Sequence, residues 1–157
     1  EISGWDLSRV DGLKGLFANQ ENLKTASVDW KLPDNAVLNE IFQKCTNLEK
    51  VKLAKWDVSK AKSMRGMFYQ CKSLYSLDIG NWDVSNVESF DYMFFECFSM
   101  TNFNLNTWKV SKSADVTNMF ERTVNISDGL FTEYWDLDGA ALYKAFGNYE
   151  NSIYEVE

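Results

Sequence analysis

Along Ser76 to Gly80 the apolar residues Leu77 and Ile79 alternate with Ser76, Asp78 and Gly80, the two-residue period of a strand with one buried face. Beyond Trp82 the period changes. Val87, Phe90, Met93, Phe94 and Cys97 recur at steps of three and four, the spacing of one helical face. A half-buried strand followed by an amphipathic helix predicts a unit of strand, turn, short helix and turn.

That unit recurs. The six tryptophans, Trp5, Trp30, Trp56, Trp82, Trp108 and Trp135, are separated by 25, 26, 26, 26 and 27 residues. Phe17, Phe42, Phe68, Phe94 and Phe120 each stand twelve residues after a Trp, and Phe146 stands eleven after the last. Eight and eleven residues after Trp come Leu13 and Leu16, Leu38 and Ile41, Met64 and Met67, Phe90 and Met93, Val116 and Met119. A period in this range predicts stacked coils rather than one interleaved globule. The whole chain, 1–157, then reads as one repeat domain with coils over 5–29, 30–55, 56–81, 82–107, 108–134 and 135–157. In such a stack Phe94→Ala costs roughly 3–5 kcal/mol. Because residues 1–2 and 156–157 fall within strand-like positions, the expectation is a slice of a longer protein with flanking repeats or domains.

Local chemistry marks where each helix is expected to start. Ser8, Ser59, Ser85 and Ser111 stand three residues after a Trp, where a hydroxyl can cap a helix N-terminus, and Ser85 with Glu88 has the spacing of a capping box. Asp138 takes this place in the last unit and Pro33-Asp34 in the second. Asp6, Asp57, Asp83 and Asp136 directly follow a Trp, a position suited to turn hydrogen bonding.

The stretch LYSLDIGNWDV, with WDVS, MF and a following Cys in a unit of about 26 residues, resembles the leucine-rich repeats of BspA-like surface proteins, which also occur in lipoproteins of wall-less bacteria. The resemblance spans essentially the whole chain and is strongest from Val51 to Met100. It implies an α/β fold: a right-handed leucine-rich-repeat-like solenoid of about six coils, with a parallel β-sheet on one wall and short helices on the other. It also implies a bacterial cell-surface or secreted location.

Composition narrows the function. The net charge of −7 argues against nucleic acid as a partner, because phosphate binding rests on clustered cations. No apolar run approaches the ~18 residues of a membrane helix, so no membrane insertion is expected. With no histidine, neither a Ser-His nor a Cys-His nucleophile can be assembled, and no catalytic residue, metal or cofactor is expected. Cys45, Cys71 and Cys97 share a column fifteen residues after Trp, without the paired spacing of a zinc site, and suit a buried ladder of free thiols. The Trp column could be a row of sugar-stacking rings; its turn position favours core packing instead. Asn125-Ile126-Ser127 is a glycosylation sequon.

Function is left to the solvent side of the strands. Its columns read Thr25, Lys50, Ser76, Asn102 and Asp128, then Ser27, Lys52, Asp78, Asn104 and Leu130, variable where the core is not. Lys50, Lys52 and Lys55 beside Ser76, Asp78, Asn81, Asn102 and Asn104 form the candidate ligand-binding face. The expectation is a non-enzymatic binding or adhesion module for a protein or glycan on a host or neighbouring cell. The alternatives are a structural spacer holding another domain, or an intracellular interaction scaffold.

Overall fold

The computed structural model describes residues 4–101, 104–105, 107–123 and 135–147. Five short strands and one helix appear in the order β1 (Thr25–Ser27), β2 (Ala36–Val37), β3 (Lys50–Lys52), β4 (Ala61–Ser63), β5 (Ser76–Leu77) and α1 (Gly139–Ala145). Every pairing is parallel. One sheet has the order β1-β3-β5 and the other β2-β4. Thr25, Lys50 and Ser76 align across the first sheet, as do Ala26, Val51 and Leu77. Residues one period apart in sequence are therefore neighbours in space, as the repeat requires.

The core is built from columns of like residues. Phe42, Phe68 and Phe94 stack at centroid spacings of 5.6 and 5.8 Å with ring planes 4° and 2° apart. Phe17 and Phe120 extend the column at 5.6 Å on either side, and Phe146 closes on Phe120 at 5.5 Å despite its one-residue shift in sequence. Trp30, Trp56, Trp82, Trp108 and Trp135 are all buried, which makes their column core rather than a sugar platform, while Trp5 is 44% exposed. Parallel coils achieve this because the same inward position recurs at the same height in each turn of chain.

The second wall departs from expectation. Where the three-and-four spacing predicted a short helix in each unit, the described residues contain one α-helix, α1, and successive turns elsewhere. The reason lies in the backbone bonds. Phe42 and Lys44 donate N–H to Met67 and Tyr69 of the next coil, at 2.9 and 2.7 Å, while Gln43 and Cys45 donate three residues back to Glu40 and Phe42. Gly66, Phe68 and Gln70 repeat the pattern onto Asp91, Met93 and Phe95, and Tyr92, Phe94 and Glu96 onto Thr117, Met119 and Glu121. An α-helix would turn all these donors inward along its own axis. Alternate donors pointing sideways join the coils, and the chain makes room for them with left-handed residues at Glu40, Lys44, Gln70, Tyr92, Glu96, Asn118 and Arg122. These include the third residues of i→i+3 turns, the place where type II turns require positive φ.

The predicted caps change accordingly. Ser8, Ser59 and Ser85 do not cap helices; each gives its backbone N–H and its hydroxyl to the carboxylate of Asp6, Asp57 or Asp83 two residues earlier. Ser111 instead bonds Ser113. Glu88 turns away from Ser85 to Lys62, 3.1 Å away, so no capping box forms. Asp138 alone caps as expected, accepting from the Ala141 N–H at 2.8 Å, ahead of a segment whose alanines and Leu142 favour a helix.

Candidate binding face

The outward side of the first sheet follows from strand alternation. In β3 Val51 is buried while Lys50 and Lys52 on either side are exposed. Register sets Lys50 between Thr25 of β1 and Ser76 of β5, and Lys52 beside Ser27. Asp78, exposed, follows Leu77, the partner of Val51, and so stands one coil on from Lys52. The face brings together Lys50, Lys52, Ser76 and Asp78 with the hydroxyls of Thr25 and Ser27. Lys55 and Asn81 are exposed beyond the strands, at the bend towards the tryptophans, and Asn104 is exposed one coil further. Asn102, Asp128, Leu130 and the Asn125 sequon lie outside the described residues.

Close stacking at this bend depends on Gly80, where a Cβ would sit 3.2 Å from the backbone oxygen of Asn104. The Thr107 hydroxyl donates to the Gly80 carbonyl and ties the same two coils. Beneath the face, the indole N–H groups of Trp82 and Trp108 donate to the backbone carbonyls of Leu53 and Ile79, just past β3 and β5, at 3.3 and 3.0 Å. Ligand-facing and core-facing columns are thus held by one frame.

Part of the surface charge is paired between neighbouring coils. Lys14–Glu40, Lys31–Asp6, Lys60–Asp34, Lys62–Glu88, Arg65–Asp91 and Arg122–Glu96 are ion pairs between residues 25 or 26 apart, each linking neighbouring coils at 2.6–3.5 Å. Glu96, 7% exposed, is held from both sides, by Arg122 at 2.6 Å and by the Gln70 amide at 2.9 Å. Lys60 holds the Asp34 carboxyl below its ordinary range, first through their hydrogen bond and then through its charge. Among the described residues, Lys24, Lys50, Lys52 and Lys55 are exposed and form no ion pair, and the same holds for Arg9, Lys44, Lys72, Lys109, Lys112 and Lys144 away from the face. Pairs one period apart are readable from sequence by comparing signs within a column; counting charge by segments conceals them.

The cysteine column has no free nucleophile. Its thiols are buried, and burial pushes Cys45, Cys71 and Cys97 above the ordinary thiol range, Cys71 and Cys97 most strongly. Among the described residues no group of three Cys, Asp or Glu side chains could hold a metal, and no helix is long and apolar enough to cross a membrane.

On the opposite wall Tyr69 stacks on Phe95 at 5.0 Å, one coil apart, and Tyr92 leans against both at 6.3 and 5.6 Å. Sequence reasoning passed over this half-buried aromatic group because only Tyr69 and Phe95 share a column, while Tyr92 joins from a neighbouring one. The three rings cover one another.

The sequence matches the family described as "Mycoplasma protein of unknown function, DUF285" over residues 1–76 and 36–151. No curated protein matches. A solved structure titled "Crystal structure of T. pallidum Leucine Rich Repeat protein (TpLRR)" is similar at 18% identity and a TM-score of 0.49, over 84% of this chain and 71% of that one.

Proposed function

This chain belongs to the DUF285 family of Mycoplasma proteins, and we propose that it is a non-enzymatic protein-binding segment whose outward strand face makes the contact. The carrying observation is the contrast between a repeated, fully packed core and a face on which Lys50, Lys52, Ser76 and Asp78 replace one another along the columns. Solenoids use this division to carry a variable surface on a constant frame. In this reading the chain winds as six right-handed leucine-rich-repeat coils over 1–157 and is one stretch of a longer repeat array. The parent is a cell-surface or secreted adhesin, as the resemblance to BspA-like repeats supports, and its ligand is a protein or glycan on a host or neighbouring cell. Many weak contacts along such an array would add up to firm attachment.

Labelled protein titrated onto intact cells and followed by flow cytometry tests this reading. Saturable binding is expected, with a large loss when Lys50→Gln, Lys52→Gln and Asp78→Asn are combined and thermal unfolding is unchanged. Undiminished binding by the triple variant would move the contact off the strand face, and full binding by a parent protein lacking these repeats would make the segment a spacer.

A further inference from the structure

We propose that the strand face takes an acidic peptide in extended conformation, with alternate carboxylates of that peptide seated on Lys50 and Lys52. This rests on the protein-binding reading above and adds the chemistry of the partner. The first ground is a pair of unpaired lysines on one strand with hydroxyl residues beside them. Six cations elsewhere meet an anion of the neighbouring coil within 3.5 Å. Lys50 instead lies in register between two neutral hydroxyl residues, Thr25 and Ser76, and Lys52 has Ser27 on one side. Other cations outside the face are also unpaired, but among the described residues only here do two of them, Lys50 and Lys52, stand at alternate exposed positions of one strand, in a chain whose net charge is −7. Lys24 just before β1 and Lys55 just after β3 prolong the exposed row. A local positive field on an acidic protein draws anionic segments and repels the protein's own copies.

Spacing supplies the second ground. Lys50 and Lys52 are two residues apart on one strand, ~6.6 Å along it, and alternate side chains of an extended peptide repeat at the same distance. A peptide lying along β3 can therefore place its acidic side chains over both lysines, with the hydroxyls of Thr25, Ser27 and Ser76 available to its polar groups. Two exposed acids bound the row. Glu49 precedes Lys50, and Asp78 stands one coil on from Lys52, so the partner is confined to the first two coils of the sheet.

Fluorescence anisotropy of the full chain with a labelled peptide of alternating glutamate and threonine tests the proposal. Saturable binding is expected that weakens as salt rises. Lys50→Gln with Lys52→Gln lowers affinity about tenfold, and Asp78→Asn raises it about twofold. Lys109→Gln with Lys112→Gln removes the same charge outside the strand face and leaves affinity unchanged. Absence of peptide binding, equal losses in the two double variants, or tighter binding of a sulfated polysaccharide or oligonucleotide would each overturn the acidic-peptide partner. The broader protein-binding reading fails separately, through the triple variant on cells.

Discussion

The thiol of Cys71 donates to the backbone carbonyl of Phe42, 3.0 Å away and 29 residues earlier. Cys97 bonds Phe68 at 3.1 Å and Cys45 bonds Phe17 at 3.0 Å, while Thr123 makes the same link to Phe94 with its hydroxyl at 2.5 Å. From the second coil to the fifth the column thus holds a small side chain with one donor, supplied by sulfur or oxygen, while Gln20 takes the position in the first. Cys71→Ala is expected to cost about 1–2 kcal/mol, the net worth of the lost bond plus a small void. Cys71→Thr, which copies the arrangement at Thr123, is expected to recover part of that loss. Urea unfolding of the two variants measures the difference. Equal stability of Ala and Thr at this position would reduce the column to packing alone.

Acid should weaken the turns that follow the tryptophans. The Asp83 carboxylate accepts from the Ser85 hydroxyl at 2.7 Å and from its N–H at 3.1 Å. These bonds, the hydroxyl's first, hold the Asp83 carboxyl below its ordinary range, and Asp57 is lowered in the same way by Ser59. A folded-state value below the unfolded one of about 3.9 gives stability that is complete above that value and is lost as pH falls through the folded one. Urea midpoints measured downward from about pH 5 are expected to fall for the parent and to fall less steeply for Asp57→Asn with Asp83→Asn. An unchanged slope would mean that these carboxylates carry none of the acid sensitivity.

Much of this fold was legible because stacking forces a column to keep its chemistry. Phe42, Phe68 and Phe94 can share one ladder only if each coil delivers a ring at the same height, and the constant interval between them expresses that demand. The turn wall was not legible from apolar spacing. Phe90, Met93, Phe94 and Cys97 are all fully buried, yet steps of three and four arise from linked three-residue turns as readily as from a helix. The deciding factor was where the N–H groups go, which hydrophobicity does not record. A local signal existed in Gly15, Asn19, Gly66 and Asn118, residues tolerant of left-handed backbone placed where a helix interior would disfavour them. On the binding face, alternation correctly turned Lys50 and Lys52 outward. The ion pairs between coils were legible too, as opposite signs 25 or 26 residues apart, but counting charge by segments hid them.

The sign of a glycine substitution separates the two descriptions of that wall. Lys44 is exposed, has φ of 57°, and sends its N–H to Tyr69 of the next coil at 2.7 Å. Its Cβ is crowded in this conformation, and glycine has none. Lys44→Gly is therefore expected to raise stability by up to about 1 kcal/mol, after allowing for glycine's greater freedom when unfolded. In a helix the same change would lower stability by about that amount. Gly66, with φ of 55° and its nearest neighbours at an ordinary 3.5 Å, gives the reverse case. Gly66→Ala should destabilise through the backbone rather than through a clash, and chemical denaturation reads both signs.

The tryptophan column contains one member that breaks its own pattern. Trp56 lies at 77° to both Trp30 and Trp82, whereas Trp82 and Trp108 stack within 10°. Its buried indole N–H has no hydrogen-bond partner among the described residues, while those of Trp82 and Trp108 reach backbone carbonyls one coil earlier. Phenylalanine in place of Trp108 would remove a made bond and leave the Ile79 carbonyl with one donor fewer. At Trp56 the same replacement removes a donor whose burial was already uncompensated, a situation that itself costs about 1–3 kcal/mol. Both replacements lose ring area, so that loss largely cancels in the comparison. Trp56→Phe is expected to be milder than Trp108→Phe by about 1–2 kcal/mol in urea unfolding. Equal losses would show that ring packing alone sets the energetics of this column and that its hydrogen bonds contribute nothing net.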